Sequence, residues 1–338
     1  MKQTLFMRQL ADYFEIHLPQ TRHCSSNTVS SYADAFALLF QFLQEKKGLP
    51  HYRVNYKDFT PAMLDDFLLW LTRERHCSAA SQKQRLSAIT SFLKYASRRE
   101  MSALSAYNCV AAAERPRVPH TAFPYFTVEE IRILLRLPDT NKKTGRRDLV
   151  LLSLLYDSAA RAQELCDLCV WDVKFGSPTK VKLHGKGSKT REIPIADDVA
   201  KLLRYHLKQN NLEGKRDQPL FSSQTNKKMT TACIRNLTQK YVEKAKMAHP
   251  KLFQHPKYSP HSFRHSKAVH MVEAGTQLIY IRNFLGHATI QSTEIYARVG
   301  QSAVAKALSG RGNLQTASNE KPSPKDVPLL PNFISSVR

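Results

Sequence analysis

Apolar residues in the first hundred positions recur every three or four places, the period of a helix face. Tyr32, Phe36, Leu39, Phe40 and Leu43 make such a stripe over 27–46, with Ser25 or Ser26 in place to cap it. Thr60 followed by Pro61 predicts a second helix start, a capping hydroxyl ahead of a proline in the first turn. Met63, Leu64, Phe67, Leu68 and Trp70 supply its buried side. A third helix is expected from Ser78 or Ser81 to about Arg98, with Leu86, Ile89, Phe92, Leu93 and Ala96 on one side. Lys83, Arg85, Lys94, Arg98 and Arg99 lie away from that stripe, so this helix is both amphipathic and basic. A phosphate backbone would suit such a face, and so would bulk water.

The periodicity then breaks. Residues 114–124, ERPRVPHTAFP, hold three prolines and read as an extended connector. Thr127 and Glu130 have the spacing of a capping box and restart the helical pattern. Residues 147–157 are a strongly apolar helix, followed by the turn SAAR at 158–161 and a further short helix. At 180–184 and 190–195 the period changes to two, and GKGSK lies between, which predicts a β-hairpin. Helices are expected again from Ala196 to about Leu308. The expected fold class is therefore mainly α with a small β-hairpin, an α+β chain. Its divisions are a helical domain 1–105, a connector 106–125, a second domain 126–311 and a tail 312–338. The tail is rich in Pro, Ser and Asn but ends in VPLLPNFISSV, apolar enough to dock on a surface, in trans on a neighbouring subunit.

Charge narrows the partner. Lys and Arg number 51 against 28 Asp and Glu, a net +23, which favours a polyanion and above all nucleic acid. The alternative is a basic surface that is merely solvated. No apolar run is long enough for a membrane span, and the charged N-terminus has no apolar signal core, so a cytoplasmic protein without a membrane partner is expected. The six cysteines are scattered as reduced thiols would be. Cys166 and Cys169 form the one CxxC pair; without a second pair their spacing fits a helix face packed into a core. His261 and His265 lack the glutamate of a zinc-binding H-E-x-x-H, so no metal is expected.

Several residues could carry chemistry. Ser259 and Pro260 predict a helix start that puts His261 in the first turn, with Arg264 on the same face. Free N–H groups at that helix end beside an arginine would suit a phosphate. Leu278, Ile281 and Leu285 predict a helix from Thr276, ended by Gly286, so that His287 follows the helix end. Tyr296 lies nine residues further on. Lys186 stands at the hairpin tip, and Arg161 precedes Glu164, a carboxylate able to orient it. Taken singly each has an ordinary explanation as a packed ring, a solvated lysine or a surface ion pair.

As an ordered set these residues resemble the tyrosine recombinases, the phage-integrase and Xer-like family, over about 25–300. SAARAQEL resembles the first arginine box, with Arg161 as catalytic arginine and Glu164 as its structural support. GKGSKTREIPI resembles the hairpin box with Lys186, HSFRHS the H-x-x-R box with His261 and Arg264, and LGHATIQSTEIYARV the closing box with His287 and the nucleophile Tyr296. Three positions depart from the pattern. Ala159 stands where glycine is usual, so that turn must avoid a left-handed conformation or bear its strain. Phe263 replaces a leucine, and Lys267 an apolar residue.

The resemblance implies a two-domain DNA clamp, with a helical SAM-like N-terminal domain and a catalytic domain. Lys83, Arg85, Lys94 and Arg98 would then be DNA contacts. It implies attack of Tyr296 on a phosphodiester to give a 3′-phosphotyrosyl intermediate. Arg161, Arg264 and His287 would hold the phosphate oxygens, His261 would accept the phenol proton and Lys186 would protonate the leaving oxygen. Neither metal nor ATP is required. The implied partners are double-stranded DNA and three further copies of the chain, as a tetramer on two DNA sites, with an accessory recombinase or DNA-bending protein left open. Mobile-element integration and Xer-like resolution both fit. The rival readings are a type IB topoisomerase, which shares the constellation but relaxes supercoils alone, and a non-catalytic DNA-binding regulator on the same fold.

Overall fold

Each of the three helices expected near the N-terminus starts at its cap. α2 spans Ser26–Lys47 after Ser25. In α3, Pro61–Arg73, the Thr60 hydroxyl accepts from the Met63 N–H at 3.2 Å. In α4, Ala79–Ser97, the Ser78 hydroxyl does the same for Ser81 at 3.3 Å. The computed structural model describes residues 3–117, 123–185, 189–223 and 228–299. Two further elements precede α2: α1, Leu5–Asp12, capped by Thr4, and a wider π-type helix, Tyr13–Thr21, into which it runs. Phe6, Leu10 and Tyr13, buried along one side, follow the same helical spacing.

The chain divides into two units, Met1–Thr121 and Ala122–Arg338. The core of the first is aromatic. Phe6, Tyr13 and Phe36 each set an edge against Phe92, with centroids 5.1–5.5 Å apart, a preferred arrangement of ring quadrupoles. α5, Ser102–Ala112, lies against α4 through Ala103, Ala106 and Val110, small side chains that permit close approach. The first residues of the expected connector 106–125 therefore belong to α5, whereas 114–117 have neither helix nor strand.

The second unit opens with α6, Val128–Arg136, under the capping box foreseen at Thr127 and Glu130. α7, Lys143–Asp157, is the apolar helix at the centre of its core. It is followed by the short α8, Ala162–Asp167. The hairpin forms as β2, Lys180–His184, and β3, Thr190–Pro194, in antiparallel register with Val181 opposite Ile193. A two-residue strand β1, Val173–Lys174, extends it to three strands in the order β1-β2-β3. Val181, Leu183 and Ile193 cover one side of the core. α9, Asp197–Gln209, α10, Thr231–Ala248, α11, Pro260–Glu273, and α12, Leu278–Leu285, complete the helical body. A last helix, α13, covers 291–299. Among the described residues no helix is long and apolar enough to cross a membrane. The expectations for the helical pattern to Leu308 and for the tail 312–338 extend beyond the described residues.

Candidate active site

Ser259 and Pro260 start α11 as the sequence implied, and the Ser262 hydroxyl accepts from the Ser259 N–H at 3.1 Å. Two residues of its first turns point to different places. His261 is exposed, whereas Arg264 is only 3 % exposed. The Arg264 guanidinium donates to the Ala159 carbonyl at 2.8 Å and to the Leu285 carbonyl at 2.6 Å. It thereby joins the turn before α8 to the end of α12. Burial first, then the charges of Arg161 and Arg191, lower its pKa to about 9, so it stays charged at neutral pH. Phe263 points the opposite way and packs its ring on Phe126, 4.9 Å between centroids, so the bulkier side chain fills core volume.

Arg161 caps α8. Its backbone N–H donates to Glu164 Oε2 at 2.8 Å, and its Nη1 to Oε1 at 2.7 Å. The Arg161 side chain is 37 % exposed, with its carboxylate partner buried beneath it. Glu164 also receives a two-pronged pair from Arg191 on β3, both contacts at 2.8 Å. Arg191 in turn donates from Nε to the Phe284 carbonyl at 3.1 Å. One carboxylate thus serves two guanidiniums. Burial alone would raise the Glu164 pKa; the hydrogen bonds and charges of Arg191 and Arg161 outweigh it and bring the pKa down to about 2.

The hairpin rises beside this cluster. A β-carbon built on Gly185 would lie 3.0 Å from the Lys189 carbonyl oxygen and 3.5 Å from Glu164 Oε1, so glycine lets the strand pass close to the carboxylate. Lys186 itself lies outside the described residues. At the end of α12, Gly286 adopts φ +66°, and a β-carbon there would press on Arg191 at 3.1 Å. His287 follows, with Nδ1 hydrogen-bonded to the Thr293 hydroxyl of α13 at 3.0 Å.

Tyr296 is 1 % exposed. Its phenol oxygen pairs not with His261 but with Nδ1 of His265, at 2.9 Å. The ring lies edge-on to Phe123 at 5.2 Å and nearly parallel to His287 at 6.4 Å. Burial raises the phenol pKa, with Arg264 and Arg161 pulling the other way. His261 keeps an exposed face, yet desolvation of the rest of its ring and then Arg264 and Arg161 lower it; burial and the same two arginines lower His287 to about 4. Burial, His261 and Arg264 lower His265 to about 4 as well. At neutral pH this pocket holds charged arginines, neutral imidazoles and a protonated phenol.

Ala159 does adopt the left-handed conformation, φ 48°. That costs a residue with a β-carbon about 1–2 kcal/mol. Its methyl is fully buried in a small cluster with Ala268, Val269, Ile281, Leu285 and Tyr296, and burying a methyl returns about 0.8 kcal/mol. We expect Ala159→Gly to relieve the strain and lose that packing, shifting stability by less than about 1 kcal/mol in denaturant unfolding. A loss above about 2 kcal/mol would mean that the methyl packs more tightly than this balance allows. Lys267, the one polar departure, pairs with Asp157 at 2.8 Å and lies over the Tyr156 ring.

In the first unit, Lys83, Lys94 and Arg98 are exposed and Arg85 is half-buried. Arg115 adds to this side of α4 by donating to the Ser87 hydroxyl at 3.0 Å. Lys83, Ser87, Thr90 and Lys94 follow helical spacing, so Arg115 lies along the same strip between the two lysines. Among the described residues no group of three or more His, Cys, Asp or Glu is arranged around a metal-sized point. Cys166 is buried and Cys169 partly so.

Three participants escaped the sequence reading. Arg191 carried a signal: it has the parity of Ile193 along β3 and stands opposite Leu183, so a charge was due on the apolar face and needed a buried partner. His265 is one helical turn from His261, and the H-x-x-x-H spacing of the pair points to a metal, not to a tyrosine 31 residues on. Phe123 lies next to a proline in a segment without period, and nothing local places it against Tyr296.

Comparison with known proteins covers both units. Residues 124–302 match the model of the phage integrase family, and residues 11–100 that of the phage integrase N-terminal SAM-like domain. The tyrosine recombinase XerC of Myxococcus xanthus is 29 % identical over 296 residues, 86 % of this chain and 93 % of the relative. XerD of Staphylococcus epidermidis is 27 % identical over 285 residues, 83 % and 91 % of the two chains. Among solved structures, XerH recombinase bound to its difH substrate in a pre-cleavage complex superposes with a TM-score of 0.64 at 18 % identity, covering 88 % of this chain and 84 % of the other. A lambda integrase dimer bound to a core site gives 0.64 at 16 % identity, over 95 % and 81 %. At these identities the superpositions speak for the fold.

Proposed function

The chain belongs to the phage integrase family, and from that premise we propose that it is a site-specific DNA recombinase whose Tyr296 forms a 3′-phosphotyrosyl link to DNA. The observation that carries this reading is the convergence of Arg161, Arg264, His287 and Tyr296 from four separate segments, with Arg264 and Arg161 both acting electrostatically on the phenol. A guanidinium has five N–H donors. Arg264 gives two to backbone carbonyls, and a phosphate held between it and the more open Arg161 would take donors from both.

In the first step the phenol oxygen attacks phosphorus and its proton passes to neutral His261 at the start of α11. The bond from phosphorus to the 5′-oxygen breaks, and Lys186 supplies a proton to that oxygen. Arg161, Arg264 and His287 stabilise the charge that builds on the non-bridging oxygens. A 5′-hydroxyl from another strand then attacks the phosphotyrosine, and the phenol leaves with its proton restored. The phosphodiester energy is conserved in the tyrosyl ester, so the exchange requires no ATP, and the arginines supply the positive charge that a metal would otherwise bring. The first unit contributes the strip of Lys83, Arg85, Lys94 and Arg98 to hold the duplex. A complete exchange involves four protomers on two sites, in the service of a mobile element or of Xer-like resolution.

A plasmid carrying two copies of the target site separates this reading from its rivals. Inversion or excision, together with protein attached to a 3′ end, is the expected result. Relaxation alone would assign a topoisomerase, and DNA binding with neither product a regulator.

A further inference from the structure

The ring of Tyr296 is withdrawn from the surface. The residue is 1 % exposed and shares a buried cluster with Ala159, Ala268, Val269, Ile281 and Leu285. Phe123 closes one side of its ring and His287 lies along another. In that wall the hydroxyl has a single hydrogen-bond partner among the described residues, His265 Nδ1 at 2.9 Å. With the ring protonated at Nε2, the phenol donates and Nδ1 accepts.

The helix that bears Tyr296 is lightly held. Thr293 and Tyr296 are its buried residues, while Ser292, Glu294, Ile295 and Arg298 are exposed. Each buried residue ends in a hydroxyl, and each hydroxyl meets a histidine: Thr293 with His287 at 3.0 Å, Tyr296 with His265 at 2.9 Å. Among the described residues, two hydrogen bonds between uncharged groups thus add to the packing of the Tyr296 ring and Val299 in holding α13 to the rest of the unit. A hydroxyl buried without a partner is strongly disfavoured, so the withdrawn position depends on the imidazole that satisfies it.

We propose that His265 is a positioning residue that keeps Tyr296 withdrawn in the free protein and gives it up when the ring swings out to meet the phosphate. The inference rests on the assignment of Tyr296 as nucleophile. It assigns His265 to the equilibrium between the two ring positions, leaving phosphate contacts to the arginines and His287. Losing a hydrogen bond of this kind shifts such an equilibrium about fivefold or more towards the open position.

The test uses the full chain without DNA and reads nitration of Tyr296 by tetranitromethane, mapped by mass spectrometry. Tyr296 should react slowly in the natural protein and faster by about fivefold or more in His265→Ala. His265→Asn, whose amide oxygen can take the place of Nδ1, should restore protection. Equal nitration rates in the natural protein and His265→Ala would overturn the proposal. A second measurement is covalent attachment to a suicide DNA substrate at saturating DNA. His265→Ala should attach at least as fast as the natural protein. Slower attachment with unchanged DNA affinity would also overturn the proposal, because it would put His265 in the chemistry. If the natural protein forms no adduct while His265→Ala still exposes Tyr296, the recombinase reading fails and the withdrawn tyrosine stands.

Discussion

Tyr296→Phe is expected to form no covalent adduct with a suicide DNA substrate on a denaturing gel, while its DNA affinity is unchanged. The substitution removes one oxygen. The ring keeps its edge-on contact with Phe123 and its place among Ala159, Ile281 and Leu285. What stability it loses is the hydrogen bond to His265, about 1 kcal/mol. His265 is only partly buried, so water can reach the ring that the phenol leaves. Loss of attachment with a nearly unchanged unfolding curve would therefore locate the defect in the nucleophile. Tyr156, another tyrosine of this unit, has its hydroxyl tied to His270 at 2.9 Å. Equal trapping by the variant and the natural protein would sink the assignment.

Glu164→Gln should be the most destabilising single change in the site. The carboxylate is 3 % exposed and holds two guanidiniums. An amide presents an N–H where one of them needs an acceptor. Breaking a buried pair in this way costs about 3–5 kcal/mol, with the lower end expected because Arg161 is partly screened by water. A loss of about 3 kcal/mol would lower the melting temperature of a unit this size by roughly 10 °C. The pH dependence gives an independent reading. The folded pKa of Glu164 is depressed to about 2. Its stabilisation is therefore complete above the unfolded value near 4.3 and is lost as pH falls towards 2, about 3 kcal/mol in all. Urea unfolding of the natural protein should lose stability across that window, and the variant should lack that contribution. Cleavage should drop by about a hundredfold as Arg161 loses its orientation. Superimposable acid limbs for the two proteins would show that Glu164 is not the buried anion of this site.

How far the sequence anticipates this site depends on the range of the forces involved. Caps and periods are local, so the starts at Thr60, Ser78, Thr127 and Ser259 and the hairpin about 185–189 could be read directly. The candidate residues could be ordered but not placed. That Arg264 lies beneath the site with two donors on backbone carbonyls, and that Arg161 lies open to solvent, follows from helix packing across more than a hundred residues. At Ala159 the sequence allows either avoidance or strain, and the chain takes the strain with the methyl buried in an apolar cluster. His265 could not be distinguished from a surface histidine, since its partner is 31 residues away on a helix that docks through two hydroxyls.

The carbonyls that Arg264 binds have a bearing on the order in which the chain is made. The guanidinium spans 105 residues back to Ala159 and 21 forward to Leu285. A ribosome releases these segments in sequence, and Leu285 and Tyr296 come last. A polypeptide cut short before Leu285 has the arginines but cannot fasten Arg264, and it lacks Tyr296. The second anchor of the buried arginine and the tyrosine proposed as nucleophile therefore arrive in the same late stretch of synthesis, eleven residues apart.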